Sequence, residues 1–318
     1  MTKPCAVIAG IGHALPTTIV TNDDLAARLD TTDEWIRTRS GIRQRHIATP
    51  DVGTADLAVE AGAHALKSAS VDAVDLVILA TSTPDRPCPA TAPAVMSRLG
   101  LGRVPAFDMD AVCSGFLYGL ATSVAMLTSG QFGTVLLIAA DTFSRLIDND
   151  DRATAFLFGD GAGAVVLRRG EQDEPGAVLG VSIGSDGSQE DLITVVDRQS
   201  HFTMQGQAVY RQAVVSMADS ASRAMADVGW TVDDVDWFVG HQANQRILDA
   251  VANRVGIAPD RAISNVAHVG NTAAASIPLA LSEAASAGRL RAGDRVVLSA
   301  FGGGATWGAA TLTWPRLD

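Results

Sequence analysis

Apolar and polar positions follow two rhythms along this chain, and both rhythms return. Between residues 55 and 69 (ADLAVEAGAHALKSA), Leu57, Ala61, Ala65, Leu66 and Ala69 recur at three- and four-residue spacing, which predicts one face of a helix. A turn, VDAVD, then leads into LVILA, a continuous apolar run that predicts a strand buried on both faces. The succession repeats as SRAMADVGW, VDDVD and WFVG, so Val-Asp-x-Val-Asp precedes an apolar strand at 71–80 and again at 232–240. A second echo pairs two apolar helices with small residues at their starts: CSGFLYGLATSVAMLTSG leads to TVLLIAA, and NTAAASIPLALSEAASAG leads to RVVLSA. Cys113 and Asn271 stand 158 residues apart at the starts of these helices, as do Gly130 and Gly288 at their ends. FGDGAGAVVL from Phe158 and FGGGATWGAATL from Phe301 form a third echo.

Three echoes in one order predict an internal duplication. Each half alternates strands and helices, which predicts an α/β fold with mostly parallel strands and right-handed crossovers. The halves are expected at 1–170 and 171–318, divided in the charged, Pro- and Gly-containing stretch RRGEQDEPG at 168–176. Residues 185–207 resemble neither neighbour and are expected to form an insertion over a site.

Composition narrows the class. A chain of 318 residues exceeds one ordinary core and suits two fused units. With 47% apolar and 19% charged residues it reads as a packed globule, neither disordered nor fibrous. A net charge of −11 argues against broad binding to nucleic acid or an anionic membrane, so an acidic partner needs a local basic patch. Cys5, Cys88 and Cys113 form no CxxC pair, which points away from a disulfide framework and a zinc knuckle. The first residues lack a basic n-region and read as a strand, and no apolar stretch reaches transmembrane length. A reduced, soluble, cytoplasmic protein is the expectation.

Three side chains are candidates for chemistry. Cys113 lies between an expected strand and the apolar helix, where a helix N-terminus favours thiolate; a small buried core cysteine is the alternative. Cys5 is expected in the core. His241 follows the run WFVG, at the strand end where α/β sheets keep ligand-facing residues; a surface or core histidine is the alternative. Asn271 by itself reads as a helix N-cap. The duplication alters that weighing, because it puts Asn271 where the other half has Cys113 and keeps His241 in the same half. The glycines at 302–304 allow a tight turn, or close backbone approach to a ligand with the Gly304 N–H as an oxyanion donor. GDGAG at 159–163 has the wrong spacing for a nucleotide fingerprint, and the remaining histidines (His13, His46, His64, His201, His268) show no metal-ligand spacing.

With Cys113, His241, Asn271 and FGGG in this order, the chain resembles the β-ketoacyl-[acyl carrier protein] synthase III family of the thiolase superfamily. Six ordered motifs carry the resemblance over essentially the whole length: DTTDEWIRTRSGIRQRH (30–46), the Cys113 segment, DRATAFLFGDGAGAVVL (151–167), GHQANQRI (240–247), GNTAAASIP (270–278) and AFGGGATWGAA (300–310). The resemblance implies a five-layered αβαβα thiolase sandwich, usually a homodimer, that uses no cofactor or metal. It implies that Cys113 takes an acyl group from acyl-CoA, and that His241 and Asn271 act on malonyl-[acyl carrier protein], with backbone N–H groups of Cys113 and Gly304 as the oxyanion hole. It maps the CoA site to Trp35, Arg39, Arg152 and Asn244, and carrier-protein docking to Arg211, Arg246 and Arg254. That patch is thin here, because Asn253 stands where a basic residue is common. Cys88 stands where short-primer members often carry a bulky aromatic, in a segment that reaches across the dimer, so the acyl pocket is expected to take primers longer than acetyl.

The implied activity is decarboxylative condensation that starts fatty-acid or polyketide chains. An O- or N-acyltransferase would not need both His241 and Asn271. A Cys/His/Asn hydrolase gives the duplication, FGGG and DEWIRTR no role. A non-catalytic partner subunit would be expected to lack the cysteine.

Overall fold

The structure is a computed structural model and describes residues 4–197 and 199–317. Residues 1–3 of the expected first strand and residue 198 of the expected insertion lie outside the described residues. Nine strands make the main sheet: β1 (Pro4–Ala14), β2 (Leu76–Ala80), β3 (Ala106–Met109), β4 (Thr134–Asp141), β5 (Gly161–Glu171), β6 (Ala177–Ser185), β7 (Trp237–Gly240), β8 (Arg295–Gly302) and β9 (Thr306–Thr313). Six helices concern the site: α1 (Thr54–Ser68), α2 (Ala92–Arg98), α3 (Gly115–Thr128), α4 (Gly206–Asp227), α5 (Gln245–Val255) and α6 (Ser276–Ser286).

The strands lie in the order β7-β8-β9-β6-β1-β5-β4-β2-β3. One internal order therefore occurs twice, β1-β5-β4-β2-β3 and β6-β9-β8-β7, with Ala262 bridging to Phe238 where the second half continues. A short antiparallel contact, Ala6 with Val178 and Val7 with Ala177, joins the two arrays. The expectation of mostly parallel strands needs correcting at the level of pairing. β2 pairs in parallel with β3 and β4, and β7 with β8, but β5 and β9 run against both their neighbours. The reason is that β4 to β5 and β8 to β9 are joined without a crossover helix, so the last strand of each half returns antiparallel inside the array.

Alternation along each strand assigns the layers. Leu136 and Ile138 face α1 and α2, whereas Leu137 faces a central layer with Phe116, Leu120 and Leu281 of α3 and α6. In the second half Val296 and Leu298 face that same central layer, and Val297 faces Met217 and Val251 of α4 and α5. Helices, strands, helices, strands and helices follow one another, which makes five layers. Gly10 and Gly12 let α1 lie directly on β1, since a Cβ at either would meet α1 backbone at 2.5 and 2.4 Å.

The repeated Asp of the Val-Asp-x-Val-Asp motif has one job in both halves. Asp75 accepts from the backbone N–H groups of Gly133 and Thr134 at 2.8 and 2.9 Å, and Asp236 accepts from Arg295 N–H at 2.8 Å. Each carboxylate thus fixes the start of the strand beside its own. The 185–207 segment folds as a short 3-10 helix (Gly187–Leu192) and two paired strands, Ile193–Thr194 and Thr203–Met204. Phe202 sits edge-on to Phe143 and Phe158, which carries this segment over the ends of the sheet strands.

Candidate active site

Cys113 is held on a tight turn between β3 and α3. Asp110 Oδ1 accepts from Val112 N–H at 2.9 Å, and Ser114 N–H donates to Ala111 O at 3.0 Å. Val112 has φ +47°, a left-handed conformation that a β-branched residue takes only when its surroundings enforce it. The enforcement comes from the other half. Ser114 Oγ donates to Thr306 O at 3.1 Å, and Thr306 Oγ1 donates to Ala111 O at 3.0 Å. Gly302 packs beneath, where a Cβ would lie 2.9 Å from Cys113 N and 3.0 Å from Ser114 N.

The equivalent turn ahead of α6 has left-handed Ala273 (φ +46°) and then Ala274 where the other half has Val112 and Cys113. This corrects the expected one-to-one match, since Asn271 stands three residues before the place that Cys113 holds. The Asn271 backbone is fixed by Asn271 N–H to Leu157 O and Gly159 N–H to Asn271 O, both 2.9 Å. Its side-chain Oδ1 accepts from Ala273 N–H at 3.0 Å, so the amide NH2 is the end left to donate. Asn271 is thus not the helix cap expected of it: Thr272 stands at the cap of the 3-10 turn Ala273–Ala275 and Ala275 at that of α6, while the Asn271 side chain closes a local turn onto Ala273. Ala274 N–H donates to Asp141 Oδ2 at 3.1 Å, and Thr81 Oγ1, Ser82 N and Thr83 Oγ1 donate to the same carboxylate's Oδ1.

His241 follows β7, buried, with its N–H on Ser299 O at 2.8 Å and its Nδ1 2.7 Å from Ser276 Oγ. Cys113, His241 and Asn271 line one cavity of about 710 Å³, together with Phe158, Ile193, Phe202 and Met204. Ile193, Phe202 and Met204 come from the expected insertion segment, and with Phe158 they make this part of the wall apolar.

Burial dominates the electrostatics. It pushes the Cys113 thiol up, assisted by the Asp141 and Asp110 charges. The thiolate expected from the helix start is thus not the resting form, because desolvation and two carboxylates outweigh a partial helix charge. Burial pushes His241 down to about 3, so its ring is neutral at pH 7. Burial also pushes Asp141 up to about 7 against the pull of its hydrogen-bond donors.

Trp35 and Arg39, on the helix Asp33–Ser40, stand at the cavity mouth. The Arg39 and Arg152 guanidinium carbons each lie 4.6 Å from the Trp35 ring centre. Asn244 caps α5 by accepting from Arg246 N–H at 2.9 Å, and donates to Arg39 O at 3.0 Å, so it ties the mouth helix to α5. Arg211 and Arg246 line the cavity from its exposed side. Arg254 lies farther along α5 and pairs with Asp219 at 3.3 Å. Cys88 and Gly304 are exposed and not among the lining residues. Cys5 is buried. Among the described residues, no group of three His, Cys, Asp or Glu side chains is placed to hold a metal.

Ser276 and Asp141 were not singled out from the sequence, and Gly302 only as one of the three glycines at 302–304. Ser276 offered a faint signal, being a third polar residue, after Asn271 and Thr272, at the start of a mostly apolar helix.

Comparison with known proteins bears on this geometry. Residues 107–187 match the family described as 3-oxoacyl-[acyl carrier protein] synthase III, and residues 225–314 match its C-terminal family. A β-ketoacyl-[acyl carrier protein] synthase III of Streptomyces coelicolor is 55% identical over 97% of this chain and 94% of its own length. The Pseudomonas aeruginosa enzyme of that name is 50% identical over 98% of this chain and 97% of its own. A crystal structure of 3-oxoacyl-[acyl carrier protein] synthase III from P. aeruginosa superposes with a TM-score of 0.96 at 51% identity, covering 99% of both chains. The priming β-ketosynthase of a polyketide pathway superposes with a TM-score of 0.93 at 32% identity, covering 100% of this chain and 98% of that one.

Proposed function

This chain belongs to the 3-oxoacyl-[acyl carrier protein] synthase III family, and from that premise we propose how its own residues divide the family's reaction. The protein is an acyltransferase of the condensing type, joining an acyl-CoA primer to malonyl-[acyl carrier protein] to start an acyl chain. The single observation that carries the division of roles is the convergence of Cys113, His241 and Asn271 on one cavity.

Cys113 Sγ attacks the thioester carbonyl of acyl-CoA. The C–S bond to CoA breaks, the proton lost by the thiol leaves with CoA, and an acyl-Cys113 thioester remains. Because burial keeps the thiol protonated, proton loss accompanies the attack. Malonyl thioester then enters, its carboxylate leaves as CO2, and the bonding electrons form an enolate. A neutral His241 N–H and the Asn271 amide NH2 both donate to that oxygen, whereas a carboxylate there would repel it. The enolate carbon attacks acyl-Cys113, and Cys113 leaves and is reprotonated. The backbone N–H of Cys113 serves the second oxyanion, whereas Gly304, exposed and outside the cavity lining, is not given the donor role expected of it.

Trp35 and Arg152 hold the adenine of CoA between them, with Arg39 and Asn244 alongside. Entry of a flat ring needs a gap of about 7 Å, two contact distances, so Arg152 swings off the Trp35 face as CoA binds. Arg211 and Arg246 receive the acidic carrier protein, and Arg254 contributes less because Asp219 already neutralises it. The enzyme works as a cytoplasmic homodimer without a cofactor, its halves divide near residue 170, and the partner's 81–89 segment with Cys88 completes a pocket for primers longer than acetyl.

Mass spectrometry after incubation with a panel of acyl-CoAs tests this assignment. An acyl adduct on Cys113, removed by malonyl-[acyl carrier protein] with release of CO2, is the expected result. An adduct elsewhere, or steady CoA release without the malonyl acceptor, overturns it. Turnover restricted to acetyl-CoA overturns the long-primer pocket.

A further inference from the structure

The proposed role of His241 requires a hydrogen on the ring nitrogen that meets the thioester, and the hydrogen bonds behind the ring decide which nitrogen that is. Nδ1 lies 2.7 Å from Ser276 Oγ, and both residues are buried. The Gln242 backbone N–H also points at this oxygen, at 3.3 Å. A backbone N–H only donates, so it occupies a lone pair of Ser276 Oγ and leaves the hydroxyl hydrogen to be placed. Among the described residues no other acceptor lies within hydrogen-bond distance of that hydroxyl.

Two arrangements remain. If Nδ1 carried the hydrogen, two donors would meet at Oγ and the buried hydroxyl hydrogen would face nothing, at a cost of about 1–3 kcal/mol. If the hydroxyl donates to Nδ1, every group is satisfied and the ring hydrogen sits on Nε2. Among the described residues Nε2 has no protein partner, so it is the nitrogen His241 offers to the cavity it lines. Gln242 cannot easily shift to alter this. Its side chain donates to Gly240 O at 2.7 Å and accepts from Asn265 N–H at 3.0 Å.

We propose that Ser276 is a positioning residue that holds His241 as the Nε2–H tautomer and so fixes it as a hydrogen-bond donor to the enolate. The proposal rests on the division of roles given above. It extends the logic of the Asn271 turn, because one helix start now orients both donors: Ala273 N–H sets the Asn271 amide, and Ser276 at the first residue of α6 sets the imidazole. A side chain that carries a hydrogen at a defined place before substrate arrives needs no reorganisation in the transition state.

The test is nitrogen-15 NMR of the histidine rings, read beside the two half-reactions in wild type, Ser276→Ala, Ser276→Thr and His241→Ala. Wild type is expected to show His241 protonated on Nε2 alone, with Nδ1 shifted as an acceptor. In Ser276→Ala the acceptor shift is lost and CO2 release from malonyl thioester falls about tenfold to a hundredfold, the scale on which losing an outer hydrogen-bond partner acts for metal-bound histidines. Acylation of Cys113 is expected to stay within about twofold, and Ser276→Thr to restore CO2 release by returning the hydroxyl. Finding His241 protonated on Nδ1 in wild type overturns the proposal whether or not the variants fold. So does Ser276→Ala with unchanged CO2 release while His241→Ala has lost it. If His241→Ala itself releases CO2 normally, the parent assignment fails instead.

Discussion

The Cys113 turn and the Asn271 turn open equivalent helices, yet the other half braces them with opposite chemistry. β4 and β8 occupy matching places in their halves, and each ends against the turn of the opposite half. β4 ends in Asp141, whose carboxylate receives Ala274 N–H behind Asn271. β8 ends in Gly302, which leaves no room for a side chain behind Cys113. The difference follows from what each turn presents. Asn271 carries no charge through the reaction, so a buried carboxylate nearby does it little harm. Cys113 leaves as thiolate when the condensation product forms, and the Asp141 and Asp110 charges already disfavour that form. A further carboxylate directly beneath its amide would oppose it more strongly still. One scaffold thus supports a nucleophile and a donor by exchanging the residue at a single matching position.

Removing the head groups is the harshest way to break this comparison. Cys113→Ala is expected to abolish condensation, at least about 10⁴-fold, the scale on which nucleophile removal acts; retained acylation by mass spectrometry would contradict it. Asn271→Ala should lower CO2 release about 10²–10³-fold while Cys113 still takes its acyl group. Equal loss of both half-reactions would show that the two turns are not separable in function.

Changing the braces sharpens the comparison. Gly302→Ala drives a Cβ into the Cys113 and Ser114 amides and should cost about 1–3 kcal/mol of stability, with slower acylation. Asp141→Asn puts an amide among four donors and should cost a similar amount, about 1–3 kcal/mol, but slow decarboxylation more than acylation. Thermal unfolding together with the two half-reactions distinguishes the pair. The reverse assignment of half-reactions would refute the cross-bracing.

The smallest effects lie in pH dependence, where two buried groups oppose one another. Asp141 is raised to about 7 in the folded protein, so it favours folding fully below the ordinary carboxylate range and loses that contribution as pH rises toward 7. His241 is lowered to about 3, so the unfolded chain binds its proton more readily, and stability falls as pH drops from about 6.5 toward 3. The slopes offset across the shared window. Denaturant titrations at several pH values should show Asp141→Asn free of the loss on raising pH, and His241→Ala free of the loss on acidification. Parallel profiles for wild type and both variants would overturn these assignments.

Where the amino-acid pattern was informative, the information was local or repeated. Val-Asp-x-Val-Asp recurs because Asp75 and Asp236 each fix the start of a neighbouring strand. The helix starts at Cys113 and Asn271 are visible because small residues followed by an apolar period can be read within one window. The pairing direction of β5 and β9 was not visible, since it depends on a connection that lacks a helix. The thiol's protonation was misread for a similar reason: the helix end is local, but the burial and the Asp141 charge are assembled from distant segments.

By itself the sequence determined the α/β alternation, the duplication, and the identity of the cysteine, histidine and asparagine, because periodicity and repetition are properties of the chain read in order. Only the tertiary structure decided that Ser276 stands behind His241, that Asp141 reaches Ala274, and that Thr306 braces Ser114. These partners lie 35, 133 and 192 residues apart, and hydrogen bonds act over 3 Å of space whatever the separation along the chain.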